Sequence, residues 1–303
     1  SVNGVSIFDG IVSDSSIGMN RQDIDLELGA TVDFIVGDGG NGFLHDSTSL
    51  DATVTFNGNS IRRIQSSSIV TQSGPLLDPS GIAITPDGST LYVTDYSSNA
   101  LFRVPTNGDP VTTFASGPLL ENTRGLAISP DGQSLYVAGW ARGEIVRVPL
   151  SGGEPVVIPS GGVLRGPHDI DVSPDGTTLY IVDSNAGIVY SLPIEGGLAK
   201  VLASSPFGTF FDGPTSVAVT QDGKTLYVSA GTQLFSLPTT GGVPTLIRTI
   251  PGSSHGGIEL SSDEKSVYFL DQAWRDSPTT SSINVIPLNG GEPKVLFNGP
   301  PLS

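Results

Sequence analysis

Short apolar runs, each closed by Gly, Pro, Asp or Ser, recur along most of the chain. Their length and their Val, Ile, Leu and Tyr content predict strands joined by tight turns. The pattern is periodic. The segments GIAITPDGSTLYVTD (81–95), GLAISPDGQSLYVAG (125–139), DIDVSPDGTTLYIVD (169–183), SVAVTQDGKTLYVSA (216–230) and GIELSSDEKSVYFLD (257–271) repeat one unit. The Asp of each turn falls at Asp87, Asp131, Asp175, Asp222 and Asp263, with spacings of 44, 44, 47 and 41 residues. A repeat near 44 residues is propeller-like.

Within each unit an apolar strand such as Ile82–Thr85 meets Pro-Asp-Gly and returns as a second strand, Leu91–Asp95. The Gly supplies the positive φ of a tight hairpin. Third strands follow at Leu101–Val104, Ile145–Val148, Ile188–Leu192, Leu234–Leu237 and Ile283–Ile286, ended by Pro105, Pro149, Pro193, Pro238 and Pro287, where the ladder loses a donor. A Gly-rich turn such as Ser151-Gly152-Gly153 then leads to a fourth strand, for example Pro155–Ile158. Leu-Tyr-Val in the second strand is apolar at successive positions, as expected of a sheet covered on both faces. Small residues in the first strand, Ala83, Ala127 and Ala218, suit crowding at an axis. These features predict an all-β fold, a six-bladed β-propeller of four-stranded antiparallel blades, with blades at about 76–118, 119–162, 163–208, 209–250 and 251–298 and a partial blade at 59–75.

The partial blade rests on Ile61-Arg62-Arg63-Ile64 and Ser68-Ile69-Val70-Thr71, which read as the outer two strands of a sixth blade. SGPLL occurs at 73–77 and again at 116–120, each time before a first strand, and the chain stops at Ser303 where another would begin. The expectation is a piece of a longer protein, or a blade completed by residues upstream of 61 or by another chain. Residues 1–58 follow a different grammar, with strands expected at Val5–Ile11, Asp23–Leu28, Thr31–Val36 and Asp51–Phe56 and no PDG hairpin.

Composition narrows the partners. The 14 Lys and Arg against 30 Asp and Glu give a net charge of −16, which repels phosphate backbones and anionic membranes and argues against nucleic acid. With no Cys, disulfides, thiolate nucleophiles and Cys-ligated zinc are excluded. No apolar run approaches the length of a membrane span. The Gly-Asp-Gly-Gly-Asn-Gly loop at 37–42, flanked by Asp38, Asp46 and Asp51, offers hard oxygen donors for Ca²⁺ or another divalent cation, although the spacing is not that of an EF-hand and turn formation alone explains such Asp residues.

The GxAxxPDGxxLYVxD units resemble the six-bladed superfamily of gluconolactonase-like, NHL-repeat and YWTD-type propellers over about 76–303. SVNGVSIFDGIV with LELGATVDFIVGDGGNGFLHDSTSLDATVTF resembles the C-terminal half of a β-sandwich module of large secreted bacterial proteins. The first resemblance implies a fold but no single function, because that framework hosts hydrolases, lyases and pure binding modules. It also implies that residues just before each first strand line the channel mouth: Asp78 and Ser80, Asn122 and Arg124, His168 and Asp169, Pro214 and Thr215, and His255 with Gly256. Gluconolactonase-like enzymes hold a divalent cation there behind Pro-Asn-Gly. Here Pro79-Ser80-Gly81, Thr123-Arg124-Gly125 and Pro167-His168-Asp169 stand instead.

Only three His exist, and His168 and His255 occupy equivalent places two blades apart, where imidazoles ligate metal or move protons. The bland alternative is polar residues in a hydrated mouth. No GxSxG, Walker or HExxH motif is present. The leading expectation is therefore an extracellular or cell-surface bacterial binding or scaffold propeller, with ligand contacts from Asp78, Asn122, Arg124, His168, Thr215 and His255 to a glycan or a protein. The competing expectations are a metal-dependent lactonase-like hydrolase or lyase using His168, His255, Asp169 and Arg124, and a protein-interaction or self-assembly module in which another chain completes the open blade.

Overall fold

A computed structural model describes residues 51–56, 59–65, 76–204, 213–249, 257–271 and 281–299. His255, Asp38 and Asp46, and most of the expected sandwich segment, lie outside them. The chain divides into two compact units, Ser1–Gln72 and Ser73–Ser303. In the first unit β1 (Asp51–Phe56) pairs antiparallel with β2 (Asn59–Gln65), with a bulge between Thr53 and Val54.

The second unit is a β-propeller of four-stranded antiparallel blades. Blade 1 is β3 (Pro79–Ile84), β4 (Thr90–Asp95), β5 (Ala100–Pro105) and β6 (Thr112–Ser116). Blade 2 is β7 (Thr123–Ile128), β8 (Ser134–Gly139), β9 (Glu144–Pro149) and β10 (Val156–Ile158). Blade 3 is β11 (Pro167–Val172), β12 (Thr178–Asp183), β13 (Ile188–Pro193) and β14 (Lys200–Ala203). Blade 4 is β15 (Pro214–Val219), β16 (Thr225–Ala230), β17 (Gln233–Pro238) and β18 (Thr245–Thr249). Blade 5 is β19 (Ile258–Leu260), β20 (Ser266–Asp271), β21 (Ser281–Pro287) and β22 (Lys294–Gly299). Every sheet runs in sequence order, and first strands pack on first strands, β3 on β7, β7 on β11, β11 on β15 and β15 on β19.

Five blades are present among the described residues, where six were expected. The strand at Ile61–Ile64, assigned by sequence to the sixth, lies in β2 and pairs with β1. Its proposed partner at Ser68–Thr71 is outside the described residues.

The hairpins form as the sequence demands. Gly88, Gly132, Gly176 and Gly223 take φ of 71°, 68°, 69° and 68°, and Glu264 occupies the same place in blade 5 at φ 52°. The turn Asp accepts from both sides: Asp87 Oδ1 takes the Thr85 hydroxyl at 2.5 Å and the Ser89 amide at 3.0 Å. Equivalent bonds recur at Asp131, Asp175, Asp222 and Asp263, and they hold all five carboxyls below their ordinary range. Asp95 and Asp183, at the ends of β4 and β12, are fully buried. Asp95 accepts the Leu77 and Asp78 amides at 2.6 and 2.8 Å and the Ser98 amide at 2.8 Å, and Asp183 accepts those of Arg165 and Ala186. Each carboxylate thus fastens the loop before its blade to the loop after its second strand.

Blades meet through apolar faces. Tyr92 and Leu101 of blade 1 pack on Leu126, Leu135, Val137, Val146 and Val148 of blade 2. The same pairing joins blades 2 and 3, 3 and 4, and 4 and 5. Each blade therefore has one face carrying the Tyr position, directed at its successor, and an opposite face carrying the Ile82, Leu126, Ile170, Val217 and Ile258 position, directed at its predecessor.

Candidate functional site

The channel-mouth residues named from sequence coincide with a backbone irregularity. Pairing slips at Ser80 in β3, at Arg124-Gly125 in β7, at His168 in β11 and at Thr215 in β15. A bulge leaves its extra residue out of the ladder and re-aims the side chain. These side chains bind the next blade or their own second strand. Ser80 Oγ donates to the Thr123 carbonyl at 2.9 Å and lies 3.2 Å from Thr94 Oγ1. His168 Nδ1 donates to the Thr215 carbonyl at 2.8 Å, which assigns the proton to Nδ1. Thr215 Oγ1 lies 3.1 Å from Ser229 Oγ.

Arg124 differs. Its guanidinium carbon sits 4.4 Å from the centre of the Tyr96 ring and 5.6 Å from that of Trp140, whose rings are 6.4 Å apart. Tyr96 follows β4 and Trp140 follows β8, so adjacent blades each supply one aromatic wall. Arg124 Nε is buried and has no hydrogen-bond partner among the described residues. Asn122 closes the rim with φ 47°, its amide donating to Asn99 Oδ1 and its Nδ2 to the Tyr96 carbonyl, both at 3.2 Å. Asp78 stands exposed outside it, accepting from Ser97 Oγ at 3.3 Å.

Next along β11, two carboxylates reach toward β15. Asp169 Oδ2 accepts from Ser216 Oγ at 2.5 Å and from the Val217 amide at 3.2 Å. Asp171 Oδ2 accepts from the Val219 amide at 2.8 Å, and its Oδ1 from the Val172 amide at 2.8 Å. Burial pushes the Asp169 carboxyl up to about 6 and that of Asp171 to about 7, the latter aided by the negative charges of Glu259 and Asp169. Burial also raises the carboxyl of Glu259 on β19, with a further push from Asp169. Asp169 has room because Gly125 faces it: a Cβ on Gly125 would stand 2.8 Å from Asp169 Cα and collide with its carboxylate.

The structure therefore distributes the residues singled out by sequence. Arg124 and Asn122 meet at one rim, His168 binds Thr215, and Asp169 turns to β15. His255 lies outside the described residues, as do Asp38 and Asp46; Asp51 begins β1. Among the described residues no three His, Asp or Glu side chains come together as a metal site. Sequence reasoning missed Tyr96, Trp140, Asp171 and Glu259. Aligned repeats carry the signal for the last two, since Asp171 and Glu259 stand where Ala83, Ala127 and Ala218 occur elsewhere.

No protein-family model and no curated protein sequence matches the chain. Its fold is similar to a chain of the crystal structure of the nidogen/laminin complex, with a TM-score of 0.60 and 18% identity over 74% of this chain and 80% of that one. It is also similar to a putative TolB from Agrobacterium tumefaciens (TM-score 0.58, 22% identity, 76% and 83% covered). A chain of hydrazine synthase from Kuenenia stuttgartiensis is similar as well (TM-score 0.56, 22% identity, 77% and 69% covered). At these identities the likeness shows the β-propeller fold alone.

Proposed function

We propose that this propeller is a binding module of the cell envelope or exterior, and that it recognises a protein partner through a carboxylate-bearing side chain at the rim of blades 1 and 2. The observation that carries the reading is the Arg124 guanidinium set against both the Tyr96 and the Trp140 ring. Contact with two aromatic rings inclined at 57° confines the guanidinium, whose planar fork of N–H groups suits a carboxylate. Aromatic and Arg residues at a rim are the usual anchors of protein interfaces. The nidogen/laminin structure, a propeller-containing chain in complex with a protein, supports the choice of partner class by analogy. The remaining mouth residues serve the frame: Ser80 and His168 spend hydrogen bonds on carbonyls of the next blade.

The test is a peptide array of acidic and neutral decapeptides beside a glycan array. Capture of acidic peptides is expected, lost in Arg124→Ala and Trp140→Ala while both variants keep the wild-type unfolding midpoint. Glycan capture without peptide capture overturns the partner class. Turnover of a lactone that survives in Arg124→Ala would overturn the binding reading itself.

A further inference from the structure

Carboxylates are plentiful in this chain, 30 Asp and Glu against 14 Lys and Arg, and several of its cations hold one. Among the described residues Arg142 pairs with Glu144, Arg147 with Glu195 and Arg248 with Glu292, at distances between 2.9 and 3.9 Å. Lys224 and Lys265 pair with the turn carboxylates Asp222 and Asp263. The cations that hold no carboxylate among these residues fall into two sets. Arg103, Lys200 and Lys294 lie toward the Pro-Asp-Gly end of the blades, in β5 and at the starts of β14 and β22. Arg124 and Arg165 lie at the other end, where antiparallel order gathers the starts of the first strands and the ends of the second. Arg124 is unpaired although Glu121 stands three residues before it.

The backbones of these two arginines are held while their charged heads are not neutralised. The Arg124 carbonyl accepts from Thr94 Oγ1, and β3 presses so close that a Cβ on Gly81 would stand 2.5 Å from the same oxygen. The Arg165 amide donates to Asp183 Oδ2 at 2.6 Å, and its carbonyl accepts from Asn185 Nδ2 at 3.3 Å. Gly143 closes the third side: a Cβ there would stand 2.6 Å from the Leu164 carbonyl oxygen and 3.7 Å from Arg165 Cα, and its φ is 65°. The Arg165 side chain is exposed. Gly143 belongs to the loop between β8 and β9 that begins at Trp140, so one short loop lies against Arg124 at its first residue and against Arg165 at its last. A fixed backbone under an unneutralised guanidinium lowers the ordering cost of binding an anion.

Resting on the reading of Arg124 as a carboxylate anchor, we infer that Arg165 is a second anchor, and that the ligand is a polypeptide segment with two carboxylates that crosses the Trp140–Gly143 loop. Each guanidinium fork takes one carboxylate. A ligand with one carboxylate leaves Arg165 as it stands, and a dense polyanion is opposed by the net charge of −16. The spacing follows from the blade. Packed sheets lie about 10 Å apart and an extended chain rises roughly 3.3 Å per residue, so one blade's width sets the two carboxylates about three or four residues apart.

The probes are fluorescein-labelled Ser-Gly decapeptides with amidated C-termini, carrying either one Glu or two Glu at increasing separation. They are titrated against the full chain by fluorescence anisotropy at physiological ionic strength, where exposed charges more than ~8 Å apart are largely screened. The two-Glu peptide of matching separation is expected to bind roughly tenfold or more tightly than the one-Glu peptide, the worth of a hydrogen bond to a charged group. Arg165→Ala should erase that gain while leaving the one-Glu peptide and the unfolding midpoint unchanged. Arg124→Ala should weaken both peptides. Equal binding of the two peptides, or a gain that survives Arg165→Ala, overturns this inference and leaves the Arg124 reading standing. A gain of the same size at every separation overturns it too, since it marks general charge attraction. Failure of every peptide to bind overturns both readings.

Discussion

Asp171 ties the first strand of blade 3 to that of blade 4, and it does so at an electrostatic cost that a single atom exchange removes. Its carboxyl is raised from 3.8 to about 7, burial being the main cause and the charges of Glu259 and Asp169 adding to it. The folded chain therefore keeps a proton that the unfolded chain releases as pH rises above 4. Stability from this group is highest below pH 4 and is lost progressively as pH climbs to 7. A rise of that size corresponds to a ceiling of ~4 kcal/mol, and the residue's partial exposure brings the expectation down to about 2 kcal/mol. Asp171→Asn keeps an acceptor for the Val219 amide but carries no charge. The variant should unfold at higher urea than the parent at pH 8 and match it at pH 4, so that the difference between the two pH values isolates the ionisation. A variant that follows the parent at both values, or that is weaker at pH 8, would show that the carboxylate is stabilised as an ion by groups other than those described.

Turn carboxylates oppose this trend at lower pH. Asp87 is lowered to about 2 by the Thr85 hydroxyl and the Ser89 amide and hydroxyl, so its bonds are complete above pH 4 and are lost as pH falls to 2; urea titrations should place maximal stability between pH 4 and 5. Asp95→Ala strands three backbone amides, two before β3 and one after β4, and should cost ~3 kcal/mol in chemical unfolding, with early amide exchange at Leu77 and Asp78. Gly125→Ala forces a methyl against Asp169 and should cost about 2 kcal/mol or more, whereas Gly88→Ala, with φ 71° and open space around it, should cost ~1 kcal/mol; equal costs would contradict the close approach of β7 and β11. Arg124→Ala should alter the emission of Trp140, whose ring centre lies 5.6 Å from the guanidinium carbon, in a chain with two Trp.

Much of the blade was legible because its determinants are local. Pro-Asp-Gly specifies the hairpin, and the expected strands Leu91–Asp95 and Leu101–Val104 differ from β4 and β5 by one residue at their ends. Pro105 ends β5 as the missing donor predicts. The bulged positions Ser80, Arg124, His168 and Thr215 fall at equivalent places for the same reason, since equivalent points of a repeat take equivalent places in successive blades. Long-range partners were not readable. Asp171 meets an amide 48 residues away, and Tyr96 and Trp140 converge on Arg124 from separate loops. The sixth blade failed as a local reading: Ile61–Ile64 has strand character, but strand character does not name a partner, and β1 is the partner it has.

The one-residue slip that opens four of the blades uncouples side-chain identity from strand register. Because Ser80, His168 and Thr215 stand outside the count of paired positions, and Arg124 with its neighbour does likewise, a hydroxyl, an imidazole and a guanidinium are accommodated at equivalent points without altering any downstream pairing. Exchange at these points leaves every ladder in register, and its cost is confined to the single contact each side chain makes: the Thr123 carbonyl for Ser80, the Thr215 carbonyl for His168 and the Ser229 hydroxyl for Thr215.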